Sequence, residues 1–337
     1  MSKKILILKN DRGGDLLNSI KCISSLINEN THVTIFLSKF NYGFSFLFKK
    51  SIVKKINYNL NILDKIKIFF FLINNKFDEI YILTPKNYYY FLPIFFNKVK
   101  FFALTINGKK RNRPSKYIRK FLYKYVTIDR NIINKKSSWQ LQLDLIDDKS
   151  LIDKDLKNIN FPILNNFIKE NIPKDFLFVQ YKNNFFSTID LSNENFDLLL
   201  NELNKKYKFI VFSSDIENNS SNIFFYNNYT VIDCQKKIID KKRKNPNIIY
   251  LHSINSEDLL AIIGVAQNII SPHGLVTQMC NFHNKKSINL FNFAINNNED
   301  FKHQKIAFSE WYKNMNIKFL FLNKNIKKSI KKILKNI

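Results

Sequence analysis

The pattern of apolar positions along the chain alternates between the period of a strand and the period of a helix. "KKILILK", residues 3–9, is a short apolar run typical of a buried strand. The segment "GDLLNSIKCISSLINEN" follows with helical spacing, its apolar positions being Leu16, Leu17, Ile20, Ile23, Leu26 and Ile27. "THVTIFLS", "SIVKKINYN" and "FDEIYIL" predict further strands, and "ILDKIKIFFFLINNK" predicts a helix. This alternation predicts a parallel sheet with helices on both faces.

The second half of the chain repeats the alternation after a loosely patterned segment, "NINFPILNNFIKENIPKD". The predicted strands are "FLFVQY", "KFIVFSS", "NIIYLH", "NIIS" and "KSINLF", and the predicted helices are "SNENFDLLLNELNKKY", "NSEDLLAIIGVAQ" and "GLVTQMCNFHN". A length of 337 residues also favours two cores over one. We therefore expect an α/β protein of two Rossmann-like, doubly wound domains, at residues 1–160 and 174–337.

The composition adds a strong positive charge to this picture. Hydrophobic residues make up 45% and charged residues 24% of the chain, as in globular proteins, and the net charge is +27. Such a charge favours an anionic partner, although enrichment in Lys, Asn, Ile and Phe also fits a general compositional bias. The phenylalanines fall within apolar runs, where burial explains them, so a surface that stacks on nucleic-acid bases is not favoured.

The cysteines and the chain start predict a cytoplasmic protein. Cys22, Cys234 and Cys280 lie far apart, which indicates neither a disulfide framework nor a zinc ribbon. The first apolar run is too short for a signal-peptide core, and no apolar block reaches the length of a membrane span. The C-terminal "LNKNIKKSIKKILKNI" has two interpretations: a surface helix that packs its apolar stripe on a domain, or a basic helix in peripheral contact with an anionic membrane.

The first candidate site is the loop "NDRGGD" between the first strand and the first helix. Doubly wound sheets bind ligands at the carboxyl ends of their strands, and Gly13 and Gly14 after Arg12 permit a tight turn there. Asp15 at the helix start either acts as a general base or caps the helix. The loop matches neither the dinucleotide-binding fingerprint nor a P-loop.

The second candidate site is "SPHGLVT", where Gly274 opens a helix directly after a strand. The free N–H groups of a helix N-terminus suit a diphosphate, to which His273 adds a hydrogen bond or a positive charge unless it is only structural. Lys182, Ser213 and Ser214 also follow predicted strands and are further ligand candidates. The spacing of His273, Cys280 and His283 matches no usual zinc pattern, so no metal is expected.

Two segments resemble family 9 glycosyltransferases, the bacterial heptosyltransferase group. They are "KKILILKNDRGGDLLNSIKCISSL" and "YLHSINSEDLLAIIGVAQNIISPHGLVTQMCNFHNKKSINLF". The resemblance implies a GT-B fold, in which an N-terminal domain receives the acceptor and a C-terminal domain binds a nucleotide sugar. The family's base position falls on Asp15 and its diphosphate-binding turn on His273, Gly274, Leu275, Val276 and Thr277. Thr277 stands where the family usually has a histidine, and Lys182 is a substitute for the family's lysine in the cleft.

The resemblance further implies an inverting, metal-independent glycosyltransferase that needs no cofactor. The donor would be a nucleotide sugar, and the acceptor a lipopolysaccharide or another surface glycan. Two alternatives stay open: a capsular-polysaccharide or fucosyltransferase-like enzyme of another GT-B family, and a catalytically inactive basic binding protein.

Overall fold

A computed structural model shows two compact units. It describes residues 2–106, 114–129, 132, 135–182, 185, 193–214, 219–241, 245–292, 306, 312, 316–322 and 325–337. The first unit is Met1–Phe161 with His303–Lys313, and the second is Pro162–Lys302 with Asn314–Ile337. No helix in the described part of the chain is both long and apolar enough to cross a bilayer.

The first unit is built on a six-stranded parallel sheet. Its strands are β1 (Lys3–Lys9), β2 (Thr31–Ser38), β3 (Ile52–Ile56), β4 (Glu79–Ile82), β5 (Lys100–Ile106) and β6 (Lys124–Ile128). They lie in the order β3-β2-β1-β4-β5-β6, and β1 pairs in parallel with both β2 and β4. This is the Rossmann strand order, which reverses direction between β1 and β4.

Seven helices connect or follow these strands in the described part of the first 171 residues. They are α1 (Gly13–Asn18), α2 (Ile20–Leu26), α3 (Ile62–Asn74), α4 (Asn87–Phe95), α5 (Lys116–Arg119), α6 (Ser138–Leu143) and α7 (Asn166–Asn171), with short 3-10 turns at Tyr42–Phe48 and Lys149–Leu151. Leu6 and Leu8 of β1 pack in one core cluster with residues of α3 and α4, whereas Ile5 and Ile7 are buried on the opposite face of the strand. Both faces of the sheet are therefore covered.

The second unit contains an eight-stranded sheet. Its strands are β7 (Leu177–Gln180), β8 (Ile210–Ser213), β9 (Thr230–Asp233), β10 (Ile238–Asp240), β11 (Ile248–His252), β12 (Asn268–Pro272), β13 (Ser287–Asn292) and β14 (Ile317–Leu322). They lie in the order β10-β9-β11-β8-β7-β12-β13-β14, and all neighbours pair in parallel except β10 with β9. The order reverses between β7, the first strand of this unit, and β12.

The helices of the second unit complete a core of apolar and aromatic residues. They are α8 (Asn193–Asn204), α9 (Asn219–Asn228), α10 (Ser256–Val265), α11 (Leu275–Phe282) and α12 (Ile326–Asn336). On α12, Ile330 and Ile333 are buried in this core, and Leu334 and Ile337 pack against it. The apolar stripe of the C-terminal helix thus packs on its own domain, so that stripe is not available for a membrane surface.

The close packing of α10 against His283, at the end of α11, requires a glycine at position 264. A Cβ built at this position would lie 2.9 Å from Cε1 of His283. The His283 ring cannot move away freely, because its Nε2 donates a 2.9 Å hydrogen bond to the carbonyl oxygen of Leu260. Gly264 therefore allows close packing of α10 against the histidine that follows α11.

We expect Gly264→Ala to lower the melting temperature, although alanine favours a helix over glycine by about 1 kcal/mol. Overpacking of this kind costs about 1–3 kcal/mol, and the double variant Gly264→Ala/His283→Ala removes the clash. Thermal unfolding followed by circular dichroism measures the effect. A single variant that melts above the wild type, or a clash penalty that persists in the double variant, would contradict this packing.

Candidate active site

Asp15 lies in the first turn of α1, directly after the carboxyl end of β1. Its side chain is exposed, and it lines a cavity of about 610 Å³ within the first unit. No hydrogen bond or ion pair among the described residues engages the Asp15 carboxylate, and the N-cap residue Arg12 caps α1 with no side-chain bond. The carboxylate is thus available to a ligand, as a general base requires.

Gly13 and Gly14 form the start of α1, where Gly13 is buried. Among the described glycines only Gly274 has a positive φ, so neither residue needs the left-handed conformation that favours glycine. The tight turn predicted at this loop is wrong in that respect: the chain passes from β1 through Asn10, Asp11 and Arg12 into a regular helical turn. The predicted close approach of an acceptor to this loop stays a prediction.

A buried ion pair lies beside Asp15 and was not predicted from the sequence. Nζ of Lys9, whose side chain is 3% exposed, is 2.6 Å from Oδ2 of Asp11, whose side chain is 14% exposed. Asn41 supports the pair, because its Nδ2 donates to the Lys9 carbonyl oxygen at 2.8 Å and to Oδ1 of Asp11 at 3.4 Å. Burial raises the pKa of Asp11, Lys9 opposes this shift, and the charge of Asp15 adds to it.

The loop after β4 supplies the opposite side of the cavity. Thr84 and Lys86 line it together with Asp11 and Asp15, which follow β1. Nζ of Lys86 donates to the carbonyl oxygen of Tyr58 and lies 4.7 Å from the centre of that ring. Burial lowers the pKa of Lys86, an effect that Asp11 opposes. The cavity therefore lies at the reversal of strand order, with two carboxylates and three ammonium groups, those of Lys9, Lys65 and Lys86, in its wall.

The cavity walls combine these polar groups with apolar surface. Apolar and aromatic side chains come from the loop after β3, the ends of β5 and β6, and α4; they are Tyr58, Leu60, Leu83, Tyr88, Leu104, Ile106 and Ile128. A concave site in which polar groups converge between apolar walls is typical of a small-ligand pocket. The sequence signal for the missed residues was present, since charged and polar residues directly follow the apolar runs of "ILILKND" and "YILTPK".

In the second unit, Gly274 joins β12 to α11 in a conformation that other residues avoid. Its φ is +154° and its ψ is −133°, and a Cβ built there would meet no atom within 4 Å. The backbone is therefore open on this side. The first N–H groups of α11, those of Leu275, Val276 and Thr277, have no carbonyl partner within the helix. The turn has the glycine-opened helix start that was predicted from the sequence, and its binding of a diphosphate stays a prediction.

The side chain of Thr277 braces the turn instead of facing a ligand. Thr277 is fully buried, its Oγ1 accepts a 3.1 Å hydrogen bond from the Gly274 N–H, and the same hydroxyl donates to Oδ1 of Asn289. Asn289 in turn donates to Oγ of Ser287 at 3.1 Å. The side chain of Thr277, one of the predicted donor-binding residues, is thus occupied within the fold, and Val276 is also buried.

His273 is held as a neutral ring. Its imidazole stacks on Phe291 with the ring centres 4.6 Å apart. Burial, together with the charge of Lys182, lowers the pKa of His273 to about 4. A pKa this low favours the neutral ring at neutral pH, and therefore a hydrogen-bonding role over a positive charge; contact of His273 with a donor stays a prediction. Bracing of the turn and hydrogen bonding remain open to it.

Lys182 follows β7, the neighbour of β12, and is exposed. Because β7 and β12 pair in parallel, Lys182 and His273 follow neighbouring strands at the same edge of the sheet. Ser213, by contrast, is buried and donates to Oε1 of Gln180 at 2.8 Å, so its hydroxyl is occupied by a residue of the neighbouring strand. Ser214 is 2.5 Å from the hydroxyl oxygen of Tyr250, which lies 3.3 Å from Nδ1 of His252.

Metal-binding clusters do not occur in the part of the chain that the structure describes: no three His, Cys, Asp or Glu residues group as ligands. Asp153 and Asp155 lie two residues apart, but both carboxylates have partners within the protein. Asp153 accepts hydrogen bonds from the Ser24 hydroxyl and, at 3.1 Å, from the Asn158 N–H, and Asp155 pairs with Lys157 at 3.8 Å.

Comparison with solved structures settles the fold. The chain is similar to the glycosyl transferase family 9 protein of Veillonella parvula (TM-score 0.61, 11% identity, 99% of this chain and 90% of that one). It is also similar to the ADP-heptose LPS heptosyltransferase II of E. coli (TM-score 0.65, 8% identity, 98% and 96%). A third structure is the UDP-GlcNAc 2-epimerase of Methanocaldococcus jannaschii (TM-score 0.55, 14% identity, 98% and 92%). The chain has the GT-B fold.

The predicted fold class is therefore confirmed, and the GT-B fold places both candidate sites at the strand reversals described above. No protein-family model and no curated protein sequence matches the chain. At these identities the GT-B similarity concerns backbone architecture alone, so the chemistry has to be argued from the side chains.

We expect Gly274→Ala to destabilise the protein by about 1–3 kcal/mol through backbone strain, without a steric clash. Gly43→Ala is a matched control, because Gly43 is exposed and has no positive φ. Chemical denaturation of both variants tests this difference. Equal stability of Gly274→Ala and the wild type would show that the turn tolerates a side chain.

We expect the wild type to lose stability as the pH falls from about 6.5 towards 4 partly through His273. The unfolded state takes up a proton near the ordinary histidine pKa, whereas the folded state resists protonation until about pH 4. His273→Phe keeps the stack on Phe291 and removes this proton uptake. Its free energy of unfolding should fall less steeply across the same window, and identical slopes for both proteins would contradict the assignment.

Proposed function

We propose that the chain is an inverting glycosyltransferase that moves a sugar from a nucleotide-sugar donor to a lipopolysaccharide or another surface glycan. The observation that carries the proposal is the exposed Asp15 carboxylate, which lines a cavity at the strand reversal of the first unit and is bonded to no described residue. The open turn at Gly274, at the corresponding reversal of the second unit, supports a diphosphate-binding role there.

In the proposed reaction, the Asp15 carboxylate accepts the proton of an acceptor hydroxyl. The resulting oxygen nucleophile attacks the anomeric carbon of the donor sugar and forms the new C–O bond. The bond from that carbon to the diphosphate breaks, and its electron pair leaves on the phosphate oxygen from the opposite face, which inverts the configuration. Arg12, Gly13 and Gly14 flank the acceptor in this scheme.

The leaving nucleoside diphosphate gains negative charge as this bond breaks. The N–H groups of Leu275, Val276 and Thr277 at the start of α11 are fixed in place by the Gly274 turn, so they can stabilise that charge without rearrangement. Lys182 supplies the positive charge at the same edge of the sheet, because the low pKa of His273 favours its neutral ring at neutral pH. No step of this scheme assigns a role to a metal or a cofactor.

Two of the similar solved structures are named for nucleotide sugars. The E. coli enzyme is an ADP-heptose transferase, and the M. jannaschii protein is a UDP-GlcNAc 2-epimerase. An epimerase changes the nucleotide sugar itself and needs no acceptor, whereas a transferase needs a second substrate. The polar and apolar cavity around Asp15 in the first unit provides room for an acceptor, which favours transfer.

We expect Asp15→Asn to lower kcat for transfer by about 100-fold or more, since general-base catalysis contributes factors of this size. Donor affinity should be nearly unchanged, because the donor site lies in the second unit. Release of nucleoside diphosphate, measured with a panel of nucleotide sugars and an extract of surface glycolipids, gives the rate. Asp155→Asn is the control, since Asp155 is a 75% exposed carboxylate of the same unit.

An Asp15→Asn enzyme with the turnover of the wild type would remove Asp15 from the base role. Conversion of a nucleotide sugar into its epimer without any acceptor would replace transfer with epimerisation as the activity.

A further inference from the structure

The outward face of α3 is apolar although it packs against no core. The helix buries Ile68 and Leu72 in the first unit, as an amphipathic helix does. On its opposite side, however, it exposes a stripe of apolar residues spaced at helical intervals, with exposed fractions between 46% and 72%: Ile62, Leu63, Ile66, Phe70 and Ile73. An amphipathic helix on a domain surface normally exposes polar residues on the side away from the core. Here that side carries an exposed apolar stripe.

The neighbouring α4 extends this apolar face. Phe91, Ile94 and Phe95 are exposed on α4, with Phe95 65% exposed. Phe69 of α3 joins the two rows, because its ring centre lies 5.6 Å from that of Phe95 and 6.3 Å from that of Phe70. We term the eight exposed residues of the two helices the α3–α4 face, whose two rows meet at the ring contacts of Phe69 with Phe70 and Phe95. Apolar surface of this extent marks an interaction site.

The charges on these two helices are predominantly positive. Lys65 and Lys67 on α3 are exposed, and Lys98 lies exposed just beyond α4. The one carboxylate of α3, Asp64, is occupied at the helix start, where its Oδ2 accepts hydrogen bonds from the Asn61 N–H at 3.1 Å and from Nδ2 of Asn57 at 3.0 Å. The α3–α4 face thus combines apolar side chains with cations, within a chain of net charge +27.

We propose that the α3–α4 face docks on an anionic lipid bilayer. Apolar side chains beside lysines are the combination that inserts into the boundary between lipid headgroups and acyl chains. A second copy of the chain fits the face less well, because a symmetric dimer would bring the same lysines together from both subunits. This surface differs from the C-terminal helix, whose apolar stripe is buried in the second unit.

The α3–α4 face is also next to the cavity that contains Asp15. Lys65 of α3 and Tyr88 of α4 line that cavity, and the Tyr88 hydroxyl donates to the Lys65 carbonyl oxygen. Docking through these two helices would hold the cavity beside the membrane surface, where a lipid-linked molecule could reach it. The docking itself rests only on the exposed residues and their charges, so it does not depend on the proposed transfer reaction.

Flotation with vesicles tests the proposal on the full-length chain without any nucleotide sugar. The vesicles contain phosphatidylcholine with phosphatidylglycerol in one series and phosphatidylcholine alone in the other. We expect the wild type to bind the anionic vesicles, and the double variant Ile66→Asp/Phe70→Asp to bind them at least about tenfold more weakly, since burying one large apolar side chain contributes roughly this factor. Asp15→Asn should bind as the wild type does, which separates docking from catalysis.

A double variant in the second unit serves as the matched control. Leu198 on α8 and Ile223 on α9 are 54% and 63% exposed, and Leu198→Asp/Ile223→Asp adds the same charge without changing the α3–α4 face. We expect it to bind anionic vesicles as the wild type does, and both double variants should keep the wild-type circular dichroism spectrum. Equal loss of binding in both double variants would overturn the proposal, because charge alone would then explain the effect.

Two further outcomes would also overturn it. One is no binding of the wild type to either kind of vesicle. The other is a wild-type dimer in sedimentation experiments without lipid that becomes monomeric in Ile66→Asp/Phe70→Asp while vesicle binding is unchanged. That result would assign the α3–α4 face to a second copy of the chain.

Discussion

The reversal of strand order in each parallel sheet is the constraint on which both candidate sites depend. In the first unit the order turns between β1 and β4, and in the second between β7 and β12. Connections leave such a point towards opposite faces of the sheet, so the loops separate and a crevice opens at the carboxyl ends of the strands. Asp15 follows β1, Lys86 follows β4, Lys182 follows β7 and Gly274 precedes α11 after β12. Within each unit, the fold thus brings residues that are distant in sequence to one edge of the sheet.

Local sequence patterns predicted the elements that carry these sites. Apolar runs marked β1, β7 and β12, and helical spacing marked the helices that follow β1 and β12. Gly274 could be singled out because a glycine between a strand and a helix indicates a backbone conformation that other residues avoid. Its φ of +154° agrees with this. The same reasoning was wrong for Gly13 and Gly14, which form an ordinary helical turn. A glycine between a strand and a helix does not by itself show whether it adopts a special conformation or simply begins the helix.

Contacts between distant segments were not predictable from such patterns. The Lys9–Asp11 pair is buried because Asn41 and the loop after β4 close around it, and no feature of "ILILKND" specifies those neighbours. The neutral state of His273 likewise depends on its burial and on Lys182, and the packing of Gly264 depends on His283. Long-range packing therefore decided the charge states, while local pattern decided the positions. The helix α3 shows the reverse: its apolar residues were evident in sequence, and only the structure showed which of them are exposed.

The GT-B fold alone does not determine the reaction, since it occurs in both a heptosyltransferase and a UDP-sugar epimerase. The central claim is that the second unit binds a nucleotide sugar at the Gly274 turn. Its most direct test is thermal unfolding in the presence of ADP-, UDP-, GDP- and dTDP-linked sugars. A donor at about 100 times its Kd stabilises the folded state by about 2.7 kcal/mol, so at least one should raise the Tm of the wild type and not that of Gly274→Val. A panel in which no nucleotide sugar raises the wild-type Tm, or in which the variant responds equally, would contradict the account.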